Sequence, residues 1–239
     1  MKYRINIKGN IVPNNYAWYY RWFDEDCACP NDVSGVLDKL TDEDEVEVFI
    51  NSPGGIIDAG TEIYTLLRAA AKNHDIKIYI TGQACSAASV IACAAYCEMA
   101  PTASMMVHCV SSGASGNHSI MEHTAEMLRT ADKALCTAYM AKAGMTENEA
   151  LAMMENETWL NAEQAKEKGL IDAIMFEEEE EIPMVAGSLF KLPSEEQMNK
   201  IRTAMKVEQD LKEANEKAMA ECKKKLTQLK LSGIRLATI

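Results

Sequence analysis

The stretch Glu45-Val46-Glu47-Val48-Phe49-Ile50-Asn51-Ser52-Pro53-Gly54-Gly55 alternates polar and apolar residues through Ile50 and then breaks into turn formers. Alternation of period two predicts a strand, and the Asn-Ser-Pro-Gly-Gly run predicts a tight turn after it. Ile56, Ile57, Gly60, Ile63, Leu66, Leu67 and Ala70 then recur at helical spacing, which predicts a helix to about Asn73. Strand, turn and helix together form one β/α unit.

The unit repeats along the chain. Residues 76–81 predict a second strand, ended by Gly82, and residues 84–97, almost all small and apolar, predict a helix buried on every side. Residues 105–110 predict a third strand, residues 111–117 a Ser/Gly-rich loop, and residues 118–143 a long helix closed by Gly144. Capping boxes at Thr146/Glu149 and Asn161/Gln164 open two more helices, and Gly169 ends the second before a short strand over 170–174. Such alternation implies right-handed crossovers and a largely parallel sheet, an α/β fold.

Charge divides the chain. The net formal charge is −12, yet residues 177–239 carry 12 acidic and 11 basic side chains, so the first 176 residues hold nearly all of the excess. The expected organisation is a body over 1–176, an acidic linker over 177–193 that starts with five glutamates, and a charged helical tail over 194–239. The tail's sparse apolar stripe, with Met198, Ile201, Met205 and Leu211, suits either a partner-binding helix or a solvated one.

An acidic body argues against nucleic acid as a partner, because phosphate binding needs clustered Lys and Arg. No segment approaches the roughly 18 apolar residues of a membrane helix, and residues 1–12 hold no secretory h-region, so a cytoplasmic protein with no membrane partner is expected. The eight cysteines are then read as reduced. Cys93 and Cys97 sit one helical turn apart without further ligands, so no metal is assigned to them. His118, Glu122 and His123 are read as a solvated helix face, and no cofactor is expected.

Two turns carry candidate chemistry. Gly82-Gln83-Ala84-Cys85-Ser86-Ala87-Ala88-Ser89 passes from a strand into a helix, among residues small enough for a substrate backbone to approach. A serine there serves either as a helix cap or as a nucleophile favoured by unpaired backbone N–H groups. Gly54 and Gly55 either satisfy a tight turn or leave N–H groups open as an oxyanion hole. His108, at the end of the third strand, is the candidate base for Ser86.

The motifs Phe49–Gly55, Gly82–Ala87 and Met106-Val107-His108, in that order, resemble the proteolytic subunit of the Clp proteases over roughly residues 5–174. The head maturation proteases of tailed phages and prophages look closest within that family. That likeness rests on Trp18, Trp22 and Phe23, the Ser86–Ala92 stretch, and Glu157-Thr158-Trp159-Leu160. The resemblance implies a ClpP/crotonase-like fold with repeated β-β-α and βαβ units.

It also implies a serine endopeptidase with Ser86 as nucleophile and His108 as base, and an oxyanion hole from the N–H groups of Gly55 and Ala87. Glu157 takes the position of the family's aspartate. Ser89 is a neighbouring rival nucleophile, and Asp172 a later acid. Further implications are a ring-forming homo-oligomer with the long helix between subunits, and polypeptide substrates, capsid or scaffold proteins among them, cleaved inside a capsid precursor. The resemblance leaves the need for an ATPase partner open. Two other readings fit the same architecture: a catalytically silent assembly or scaffolding protein, and a crotonase-type acyl-CoA enzyme.

Overall fold

Strand β1 (Lys2–Ile11) runs parallel to β3 (Glu45–Gly55), and β3 runs parallel to β4 (Asp75–Cys85). The short β2 (Cys27–Ala28) pairs with β1 at one edge. At β4 the sheet branches. The first half of β4 pairs with β5 (Tyr96–Met99), itself flanked by β8 (Ala173–Ile174), whereas its last residues pair with β6 (Ser104–Val107). β7 (Thr158–Leu160) adds antiparallel to β6, the one antiparallel pairing of the eight strands described.

In β3 and β4 the alternation maps onto the two faces. Val46, Val48, Ile50, Ile76, Ile78 and Ile80 are 0–3% exposed. Each such side chain removed from water contributes roughly 2 kcal/mol. On the other face Phe49 and Tyr79 stack 5.2 Å apart, with the Arg4 guanidinium 3.9 Å above Phe49. The apolar face is covered by α2 (Pro30–Leu37), α3 (Ile57–Ala70) and α4 (Ala87–Ala92), with α1 (Ala17–Trp22) beside β2.

The long helix α5 (His118–Ala143) has the predicted bounds. Asn117 Oδ1 accepts the Ile120 N–H at its start, and Gly144 ends it at φ +69°. Both capping boxes are present, at the starts of α6 (Glu147–Glu155) and α7 (Ala162–Glu167).

Three expectations need correction. Residues 51–55 continue β3 rather than forming a turn: Gly54 and Gly55 take φ of +100° and +155° within an extended segment that still pairs with β1. The helix expected over 84–97 is only the six residues of α4, because β4 runs on to Cys85 and Cys97 lies in β5; Cys93 and Cys97 therefore share no helix turn. The third strand stops at Val107, leaving His108 just beyond it.

The computed structural model describes residues 1–41, 43–177, 203, 206, 217–219, 221 and 223–225. The chain divides into two units, Met1–Glu180 and Glu181–Ile239. Apart from Glu177, the expected linker lies outside the described residues, and the tail residues that are described are helical. Among the described residues no helix is long and apolar enough to cross a membrane.

Candidate active site

Ser86 occupies the junction between β4 and α4 with φ +55° and ψ −125°. A non-glycine residue at positive φ costs about 1–3 kcal/mol and persists only where its surroundings enforce it. Here the Ser86 N–H donates to the Met106 carbonyl of β6 at 2.9 Å, and Ala87 and Ala88 are buried on its helical side. Gly60 lets α3 approach this corner, since a Cβ there would lie 2.8 Å from the Ala87 methyl.

His108 leaves the end of β6, the strand beside β4, and its Nε2 lies 2.8 Å from Ser86 Oγ. An imidazole nitrogen in contact with a serine hydroxyl can take its proton as the oxygen attacks an acyl carbon. The pair opens into a cleft with a cavity volume of about 180 Å3, lined also by Gly55, Ile56, Ala87, Val110, Leu135 and Tyr139.

Gly55 and Ala87 therefore flank the hydroxyl along the same cleft. At Gly55 any side chain is excluded, because a Cβ would sit 2.1 Å from the Ile11 carbonyl oxygen. Ser52, fully buried, fixes this strand end: its hydroxyl donates to Gly9 O at 2.6 Å and accepts the Gly54 N–H at 3.1 Å.

Glu157 immediately precedes β7. Residues 105, 106 and 107 of β6 pair with 160, 159 and 158 of β7, and the ladder ends there, so His108 and Glu157 each lie one residue beyond the last pair. Glu157 takes φ +45° and is exposed. Among the described residues no carboxylate is hydrogen-bonded to His108. Asp172 is committed elsewhere: it accepts the Cys97 N–H at 2.7 Å and pairs with Lys142, whose ammonium also donates to Ala95 O at 2.8 Å.

Ser89 lies one turn deeper in α4 and is fully buried, with its hydroxyl donated to the Ser86 carbonyl at 2.6 Å. It is closed to a substrate. His118, Glu122 and His123 are exposed on α5, and His74 is half-buried, with Nδ1 buried and unpartnered.

Sequence reasoning missed Asp132 and Tyr139 of α5. Asp132, 9% exposed, accepts the Val110 N–H at 2.6 Å, and Tyr139, 1% exposed, meets Ser89 Oγ at 2.8 Å. Burial pushes the Tyr139 phenol up, and the Cys109 thiol, beside Asp132, is pushed up to about 11 by burial first and the Asp132 charge second. The partners lie 22 and 50 residues away in the chain, so no local pattern announces them.

Residues 34–178 match the family model described as Clp protease. Among curated proteins the chain is similar to the "ATP-dependent Clp protease proteolytic subunit" of two strains of Bacteroides fragilis, 31% identical over 142 residues in each case. The protein of the same name from Bacteroides thetaiotaomicron is 30% identical over 142 residues. These alignments cover 58% of this chain and 68%, 64% and 64% of the three relatives, so the chain spans about two thirds of their length.

Proposed function

The chain belongs to the Clp protease family, and from that premise we propose that it is a serine endopeptidase in which Ser86 attacks the scissile carbonyl and His108 takes the serine proton. The observation that carries this reading is the 2.8 Å contact between His108 Nε2 and Ser86 Oγ at the floor of an open cleft. The N–H groups of Gly55 and Ala87 serve as the oxyanion hole, receiving the charge that develops on the carbonyl oxygen. His108 then returns the proton to the leaving amine, and water repeats the sequence on the acyl-enzyme.

Glu157 is the proposed orienting acid. Its support is the β6–β7 register, whose last pair, Val107 and Thr158, adjoins His108 and Glu157; on substrate binding its carboxylate closes on Nδ1. Catalytic contacts of this kind are often long without substrate.

The finer proposal is a head maturation protease that cleaves capsid or scaffold proteins as a ring-forming homo-oligomer. It is supported by the Glu157-Thr158-Trp159-Leu160 segment and by exposed Trp18, Trp22 and Phe23. The relatives' name points to an ATP-dependent partner, and the same ring is compatible with one.

The deciding experiment treats the purified full chain with a fluorophosphonate and weighs it intact, beside Ser86→Ala. A single adduct that maps to Ser86 and is absent in the variant is expected. Folded protein that gains no adduct overturns the peptidase reading in favour of a silent scaffold. Co-expression with capsid and scaffold proteins then tests the finer proposal: partners left uncleaved by unlabelled enzyme, a parallel sample of which labels at Ser86, remove it.

A further inference from the structure

Helix α5 is joined to both halves of the Ser86–His108 pair. Asp132 and Tyr139 are seven residues apart, about two turns, and so lie on one face of the helix. Leu135, between them, lines the cleft.

The first connection runs to the base. Asp132 Oδ1 accepts the N–H of Val110, two residues beyond His108, at 2.6 Å. Cys109 N–H is held in turn by Met154 O at 3.2 Å. The segment that carries His108 is thus tied down immediately after its reactive residue.

The second connection runs to the nucleophile. Ser89 has a single hydroxyl proton, which goes to the Ser86 carbonyl, so the Tyr139 hydroxyl is the donor in its 2.8 Å contact with Ser89 Oγ. Tyr139 therefore orients Ser89, and Ser89 fixes the peptide plane that follows Ser86. This plane supplies the Ala87 N–H.

A carboxylate buried this deeply is costly unless its acceptor sites are used. Among the described residues Asp132 has no cationic partner, and the donor it meets is the Val110 N–H. Its position is explained by what it holds. We infer that Asp132 and Tyr139 are positioning residues through which α5 sets the separation and alignment of Ser86 and His108. The inference rests on the peptidase reading above and adds residues to it that make no hydrogen bond to Ser86 Oγ or to the His108 ring.

The test measures the second-order rate of fluorophosphonate labelling of Ser86 between pH 5.5 and 9, with the melting temperature of each protein alongside. Asp132→Ala should slow labelling roughly 10- to 100-fold and move its pH midpoint, because an ångström of misplacement is worth about that much. Asp132→Asn, which keeps the acceptor, should label within about 3-fold of the parent with an unmoved midpoint. Asp132→Leu fills the space without accepting and should behave as Ala does. Tyr139→Phe should slow labelling by several-fold.

A folded Asp132→Ala or Asp132→Leu protein that labels at the parental rate and midpoint overturns the inference alone. If neither accumulates folded, an unchanged rate in Tyr139→Phe does so. A parent that never labels at Ser86 removes the peptidase reading, and the inference with it.

Discussion

A methyl group at Gly54 would sit 2.6 Å from Ser86 Cβ and 2.6 Å from the Cys85 carbonyl oxygen. The strand end beside Ser86 thus approaches it as closely as backbone can, and φ of +100° at Gly54 adds a second reason for glycine. Gly54→Ala should lower the melting temperature by several degrees and slow Ser86 labelling at least 10-fold. Calorimetry and labelling on the same preparation check this, and a stable, fully reactive variant would show that the approach is not required.

Ser86→Ala and Ser89→Ala separate the two serines of the Ser86–Ser89 turn. The first should abolish peptide hydrolysis and leave the melting temperature within about 2 °C. The second leaves the Tyr139 hydroxyl and the Ser86 carbonyl without their shared partner, at about 1–3 kcal/mol. It should lower both stability and activity without removing labelling. Hydrolysis that survives in a clean Ser86→Ala preparation would discard Ser86 as the nucleophile.

Glu157→Ala should retain at least about 10-fold more activity than Ser86→Ala, because nucleophile, base and oxyanion donors all remain when an orienting acid is lost. Steady-state kinetics on a peptide substrate should put the loss in kcat rather than KM. Parental kcat in Glu157→Ala would remove the glutamate from the mechanism.

Cys109 lines the cleft, yet burial and the Asp132 charge push its thiol up to about 11. The raised value keeps it protonated at neutral pH. At pH 8 it holds a few hundred-fold less thiolate than an ordinary cysteine at about 8.5. Iodoacetamide should therefore spare Cys109 at pH 8 and modify it increasingly towards pH 10–11 in folded protein, as peptide mapping would show. Ready alkylation at pH 8 would mean that the thiol is not buried beside Asp132 in solution.

The parts of the molecule legible in sequence are those written in local chemistry. The end of α5 could be bounded because Gly144 does a job at a helix C-terminus that few other residues do. Ser86 and His108 stood out because each falls where a strand gives way to a loop or helix. The 84–97 region misled because small apolar residues suit a buried strand, a short helix and a buried turn equally, so periodicity has nothing to distinguish. Pro53-Gly54-Gly55 misled in the opposite way: glycine was read as chain reversal, but it is there to let backbone pass close to Ile11 and Ser86. Asp132 was invisible because an acid inside a charged amphipathic helix looks solvated until the fold lays Val110 over it.

The branching of the sheet at β4 bears on how the molecule can tolerate motion. Ser86 directly follows β4, His108 directly follows β6, and the Ser86 N–H is bonded to Met106 of that neighbouring strand. Ser86 and His108 therefore ride on one two-strand lever, whose β4 arm carries β5 along its first half. Fraying at either margin, or strain passed in from a neighbouring molecule, would tilt that lever whole. The opening through which a peptide enters can widen or narrow in this way while the distance between the two reacting groups holds.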